Sequence, residues 1–139
     1  MKTRDEERLA RARETPLVEG LPELPGIVAV MALTPALGQH LRGLADVLLV
    51  DDYPGATISR AEREMLAAAV SAANHCFFCM DSHAAHAMAL LERSGAVELV
   101  PTVEAATAGA FEELGPKLGA LARIACTVAT DARRLGRDD

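Results

Sequence analysis

The amino-acid sequence predicts an all-α protein with one main domain. Apolar residues recur at helical spacing in several segments, and no segment alternates apolar and polar residues convincingly enough to be a strand. Hydrophobic residues make up 50% of the 139 residues but aromatic residues only 3%, so small aliphatic side chains must fill the core. Because alanine-rich helices leave little room for a deep cavity in one subunit, we expect the chain to oligomerise.

The first segments are expected to be an arm, a loop and a helix. Residues 1–20 form a charged N-terminal arm or helix, with a short helix over residues 3–13, and residues 21–139 form the helical domain. A loop rich in proline and glycine precedes the apolar residues 27–33. Thr34 and Pro35 then suit an N-cap and a first helical position, which predicts a helix to about Val50.

Two helices are predicted in the middle of the chain. Residues 51–55 are typical of a turn, and Ser59 with Glu62 three residues later forms a capping box for the next helix. A single helix over residues 59–93 would be unusually long, so we place a break at Asn74. Cys76 then opens a second helix, which ends at residues 94–95.

The last third of the chain is also helical in composition. Residues 96–107 suit a helix interrupted by Pro101, and residues 109–116 suit a connection. A final helix reaching about residue 135 has an apolar face formed by Leu118, Leu121, Ala125 and Val128.

Charge and hydropathy exclude several classes of protein. The net charge of −6 and the lack of a basic stripe argue against binding to the phosphate backbone of nucleic acids. Residues 1–19 are densely charged, with no apolar run of signal-peptide length, and later apolar stretches are interrupted by charge or proline. We therefore expect a soluble cytoplasmic protein that does not associate with membranes.

The most informative motif is a Cys-x-x-Cys. Three cysteines is an odd count, which argues against a secreted disulfide framework. At about 100° per residue, Cys76, Cys79 and His83 fall within an arc of about 60° on one helix face. Cys76 also lies at the start of its helix, where unpaired N–H groups and the helix dipole favour a thiolate.

This dithiol has the parts for attacking a peroxide or a disulfide. The spacing of three residues lets the two sulfurs close a disulfide after the first attack. One thiolate would become a sulfenic acid, the second thiol would condense on it with loss of water, and an external dithiol would reset the pair. An acid or base is still needed to move the protons.

A zinc site is the main alternative, since an isolated Cys-x-x-Cys suits redox chemistry and zinc about equally well. On one helix, however, Cys76 and His83 lie about 10 Å apart along the axis and His86 about 15 Å from Cys76. These groups cannot meet at one ion. The other possible ligands are Cys126, His40 and His75.

Other reactive residues have simpler interpretations. Glu64 taken alone is expected to be solvated and paired with Arg60 on the same helix, and His86 to be structural or on the surface. Cys126 is expected to be a small core residue. Packing is also the expected role of Met65, Met80 and Met88.

The whole run resembles a known family. Its pattern Glu64-x11-Cys76-x-x-Cys79-x3-His83 is similar to that of the AhpD-like alkylhydroperoxidases, in the carboxymuconolactone decarboxylase-like superfamily. Further shared residues are Val70, Ser71 and Asn74, together with residues 31–36, which look like the helix entry of the peroxidase-related branch. The strong match spans residues 27–93.

The resemblance implies an oligomeric all-helical fold, commonly trimeric or hexameric, that reduces hydroperoxides without a metal, haem or flavin. Cys79 would attack the peroxide, and Cys76 would resolve the sulfenic acid and meet an external dithiol such as lipoamide or a thioredoxin-like protein. Glu64 and His83 would relay protons, so the resemblance changes Glu64 from a surface residue to a general base.

The sequence departs from the family pattern in two respects. Phe78 stands where members often carry tyrosine or histidine, so polar help from that position is missing. Family chains usually continue with further helices beyond the point matching Asp139. This chain is therefore expected to be either a short version or a truncated product, with a pocket that is incomplete or is completed by a neighbouring subunit.

Three other functions compete with a peroxidase. The first is a redox sensor or adaptor whose dithiol switches without efficient turnover. The second is lactone decarboxylation, which the superfamily name suggests but which does not need the Cys-x-x-Cys. The third is a helical zinc-binding module, which predicts about one metal ion per subunit.

Overall fold

The computed structural model describes residues 18–24, 26–52 and 54–136. All regular secondary structure in these ranges is helical, which confirms the predicted all-α class. The α-helices are α1 (Ile27–Leu33), α2 (Pro35–Ala45), α3 (Arg60–Ala73), α4 (Phe77–Ser94), α5 (Val100–Ala108) and α6 (Pro116–Asp131). Shorter helical segments are a π-helical stretch, Asp46–Val50, and 3-10 turns at Val97–Leu99, Phe111–Leu114 and Ala132–Arg134.

The contacts divide the chain into two compact units, Met1–Ala45 and Asp46–Asp139. The helix predicted over residues 3–13 lies outside the described residues, so the expected boundary between residues 20 and 21 stays a prediction. The helix predicted from Pro35 to about Val50 is present, but its α-helical geometry ends at Ala45 and the last five residues are π-helical.

In the first unit, α1 and α2 pack against each other through a glycine. A Cβ atom on Gly38 would lie 2.3 Å from the carbonyl oxygen of Met31, so a larger residue could not occupy this position without moving the backbone. The carbonyl of Thr34 accepts from the N–H groups of Leu37 and Gly38, which fixes the start of α2.

In the second unit, α3 is the central helix and contacts α4, α5 and α6. Half of its buried residues are alanine, and the partner helices add only a few larger side chains. The core cluster consists of Ala61, Met65, Ala69, Ala87, Leu91, Val103, Ala106 and Leu118. Small side chains therefore fill the core, as the composition predicts, and the helices pack closely around α3.

The start of α3 is fixed by hydrogen bonds at both ends of its first turn. Ser59 Oγ accepts from the N–H of Glu62, and Glu62 Oε2 accepts from the N–H of Ser59, which confirms the capping box. The buried guanidinium of Arg63 donates to the carbonyl of Asp51 at 3.0 Å and lies 3.8 Å from the carboxylate of Asp52. These bonds tie the preceding segment to α3.

Two predictions about the C-terminal half were wrong in detail. Pro101 does not interrupt a helix but lies in the first turn of α5, where a missing N–H costs no intrahelical hydrogen bond. In α6 the buried positions are Leu118, Gly119 and Ala122, whereas Val128 is exposed. The buried stripe follows the contacts with α3 and the turn at Phe111–Leu114, which the pattern along α6 alone could not reveal.

Candidate functional site

Cys76 and Cys79 lie at the N-terminus of α4 and form a disulfide, with their Cα atoms 5.4 Å apart. Cys76 is the N-cap residue, and its carbonyl accepts from the N–H of Met80 at 2.9 Å. The helix therefore starts where the sequence predicts. The predicted meeting of the two sulfurs across one helical turn is confirmed.

The backbone of His75 turns the chain from α3 into α4. Its φ of 56° lies in the left-handed region, which residues other than glycine seldom adopt. The N–H of His75 donates to the carbonyl of Ala72, and the N–H of Cys76 donates to the carbonyl of Ser71, both at 2.9 Å. This tight turn lets α4 run back along α3, so that residues distant in sequence face each other.

Glu64 and His83 meet across the α3–α4 contact. Glu64 Oε2 lies 2.7 Å from His83 Nδ1, and Glu64 is only 4% exposed. The prediction that Glu64 is solvated and paired with Arg60 is therefore wrong. Burial of the carboxylate follows from the position of α3 at the centre of the unit, and a residue 19 positions away supplies its partner.

The hydrogen bond between these two side chains determines which imidazole nitrogen of His83 carries the proton. When the carboxylate is ionised it can only accept, so Nδ1 of His83 then donates and Nε2 is left as the nitrogen that can take up a proton. His83 follows Cys79 by one helical turn, on the same face of α4. The imidazole is therefore fixed by Glu64 and lies in the next turn along from the disulfide.

Two aromatic residues separate the cysteines, and both are exposed. Phe77 and Phe78 have 67% and 55% of their surface accessible. They are two of the three phenylalanines in the chain. Neither offers a polar group, so no hydrogen-bonding side chain stands between the two cysteines in the sequence.

The other candidate residues lie elsewhere. Cys126, on α6, is half-buried against the core and its thiol is free, as expected for a small core residue. Burial raises the pKa of the Cys126 thiol, which makes it a poor nucleophile at neutral pH. His86, His40 and His75 are exposed.

Across the described parts of the chain, no group of three or more histidine, cysteine, aspartate or glutamate residues is arranged to hold a metal ion. None of the described helices is both long enough and apolar enough to cross a membrane.

The model of the carboxymuconolactone decarboxylase family matches residues 35–125, well over half of the chain. The chain belongs to this family. The matched region contains α2 to α5 and most of α6, and therefore all four residues Glu64, Cys76, Cys79 and His83. No curated protein and no solved structure matches the chain closely enough to add to this assignment.

Membership of the carboxymuconolactone decarboxylase family is compatible with more than one chemistry, because the family includes decarboxylases and alkylhydroperoxidases. The chemistry open to this chain depends on its own side chains in α3 and α4, the Cys76–Cys79 disulfide and the Glu64–His83 hydrogen bond. A dithiol that forms a disulfide can accept and release two electrons. A carboxylate bonded to an imidazole can take up and return protons.

Replacing His83 by Ala is expected to destabilise the protein by about 1–3 kcal/mol, because it leaves the buried Glu64 carboxylate without its hydrogen-bond donor. In a Glu64→Gln background the same replacement should cost less, since no buried charge then loses its partner. Urea denaturation of the four proteins of this double-mutant cycle measures the difference.

The exposed His86 provides the control for that cycle. His86→Ala should change the free energy of unfolding by less than about 0.5 kcal/mol. Equal costs for His83→Ala in both backgrounds would show that the Glu64–His83 hydrogen bond does not stabilise the fold.

Proposed function

We propose that the protein is a thiol-dependent hydroperoxide reductase that works through a Cys76–Cys79 dithiol and disulfide cycle. The observation that carries this proposal is the buried hydrogen bond between Glu64 and His83, one turn from a cysteine pair able to form a disulfide. A structural disulfide would have no need of a buried carboxylate and imidazole beside it. A peroxidase needs groups that move protons to and from sulfur and oxygen.

The first step forms the sulfenic acid on Cys79. With Nδ1 bonded to Glu64, His83 Nε2 takes the thiol proton, and Glu64 stabilises the imidazolium that forms. The thiolate attacks the terminal peroxide oxygen, the O–O bond breaks, and an alkoxide leaves. The proton held by His83 passes to that alkoxide, so the products are an alcohol and the sulfenic acid of Cys79.

The second and third steps restore the dithiol. The thiol of Cys76 attacks the sulfur of the sulfenic acid, forming the disulfide and releasing water. An external dithiol then reduces the disulfide and is itself oxidised to a disulfide. Cys76 and Cys79 are half-buried rather than enclosed, which leaves the pair open to attack by a reductant. Reduced lipoamide (dihydrolipoamide) or a reduced thioredoxin-like protein supplies the two thiols, and the reducing cytoplasm is the compartment that maintains them.

A redox sensor is the alternative that the same disulfide supports. Such a protein would oxidise and reduce its cysteine pair, but it would not need groups arranged for rapid proton transfer. The role of Glu64 therefore separates the two functions better than the formation of the disulfide does.

The attacking cysteine can be trapped directly. Reduced Cys76→Ser protein exposed to cumene hydroperoxide should form a sulfenic acid on Cys79 that reacts with dimedone and is located by mass spectrometry, because the resolving thiol is missing. A Cys126→Ser background removes the third thiol.

Wild-type enzyme with excess dihydrolipoamide should consume peroxide continuously, and Glu64→Gln should lower kcat/KM by about 100-fold or more.

Two controls bracket this experiment. Cys79→Ser should give no adduct, and Glu62→Gln, an acidic residue of the same helix engaged in the capping box, should keep most of the peroxidase activity. A dimedone adduct without sustained turnover would favour the sensor. The absence of any adduct on Cys79 would contradict the proposed order of attack.

We also propose that the protein forms homotrimers or homohexamers. Helix α2 leaves Leu37, Leu41 and Leu44 exposed, and their spacing of four and three residues places them on one side of the helix. An apolar stripe of this kind is costly in water and marks a protein-contact surface. A second copy of the chain is the partner that is always present.

Sedimentation velocity of the wild-type protein should give a mass three or six times that of one chain. Leu41→Glu should lower the mass towards that of one chain, because a charge at the centre of the stripe would have to be buried. Gln39→Glu, on the other side of α2, adds the same carboxylate and should leave the mass unchanged. A monomeric wild-type protein would refute the assembly.

A further inference from the structure

A cavity of about 510 Å³ lies at the end of the α3–α4 pair remote from the cysteines. Helix α3 begins there and α4 ends there, with the start of α5 and the start of α6 completing the wall. The volume falls within the range of small-molecule sites in proteins. Neither the cysteine pair nor His83 contributes to it.

The walls of this cavity are mainly apolar. The lining residues come from four helices and the turn that precedes α6, so the sequence of no single segment could predict this cavity. The large apolar side chains are Met65, Leu90, Leu91, Leu99, Leu114 and Leu118. A ligand with a hydrocarbon body would bury these surfaces from water.

Arg60 supplies one polar atom without a hydrogen-bond partner in this apolar surrounding. Arg60 lines the cavity, and its Nε atom is buried with no hydrogen-bond partner among the described residues. A buried donor without an acceptor is costly, and native proteins seldom retain one that nothing satisfies. A carboxylate is the acceptor that fits a guanidinium best, through charge-assisted bonds.

The acidic residue on the same wall does not neutralise Arg60. Glu62 lines the cavity, but its Oε2 accepts from the N–H of Ser59 at 2.6 Å in an exposed capping box. Its carboxylate is thus engaged at its own helix terminus. The positive ends of the α3 and α6 dipoles also lie at this wall, and they favour a negative group there.

We propose that this cavity binds a monocarboxylate with an unbranched hydrocarbon chain, its carboxylate on the Arg60 guanidinium and its chain along the leucine and methionine wall. The site is separate from the Cys76–Cys79 pair and does not depend on the proposed peroxidase activity. Binding would remove the desolvation cost of the Arg60 Nε–H and cover the apolar wall at the same time.

Isothermal titration calorimetry with decanoate and 1-decanol tests the assignment on the full chain. Wild-type protein should bind decanoate at least tenfold more tightly than 1-decanol. Arg60→Met keeps the apolar stem but removes the donors, and should weaken decanoate binding about tenfold or more while leaving 1-decanol binding unchanged. Arg123→Met, an exposed arginine of α6 outside this cavity, should bind decanoate like the wild type.

A measurement on unmutated protein gives a result that does not depend on the folding of the Arg60→Met variant. In protein labelled with 15N-arginine, the Nε–H resonance of Arg60 should shift on addition of decanoate and stay in place with 1-decanol. No binding of decanoate at millimolar concentration would overturn the proposal. Equal binding of both probes, or decanoate binding that Arg60→Met leaves intact, would also overturn it.

Discussion

The hydrogen bond between Glu64 and His83 is the interaction on which the site depends. A carboxylate that is only 4% exposed must have a hydrogen-bond donor, and the donor comes from the next helix rather than from a neighbouring turn. This requirement fixes the relative position of α3 and α4. It also fixes the orientation of the imidazole that follows Cys79 by one helical turn.

The alanine-rich core makes this close approach possible. Ala68, in the turn of α3 after Glu64, and Ala87, in the turn of α4 after His83, are completely buried. Larger side chains at these positions would separate the helices and lengthen the 2.7 Å contact. The turn through His75 adds the second constraint, since its left-handed backbone lets α4 start directly after α3. The small core residues, the turn at His75 and the Glu64–His83 hydrogen bond therefore depend on one another.

The sequence could predict those parts of the fold that local rules determine. The capping box at Ser59, the break near Asn74 and the helix start at Cys76 all follow from short-range chemistry, and all are present. Residues alone could not reveal the burial of Glu64, because its partner lies 19 positions away. Only the resemblance to the family suggested a role for it. The buried stripe of α6 and the cavity beside Arg60 were missed for the same reason, since several helices form each of them.

The claim that Glu64 acts on the cysteine pair through His83 can be tested most directly on the reduced protein. The rate of iodoacetamide alkylation at Cys79 should be followed against pH in wild type and Glu64→Gln, with Cys126 replaced by serine in both. If Glu64 stabilises the imidazolium that accompanies the thiolate, the alkylation profile of Glu64→Gln should move to higher pH. Superimposable profiles would contradict the account.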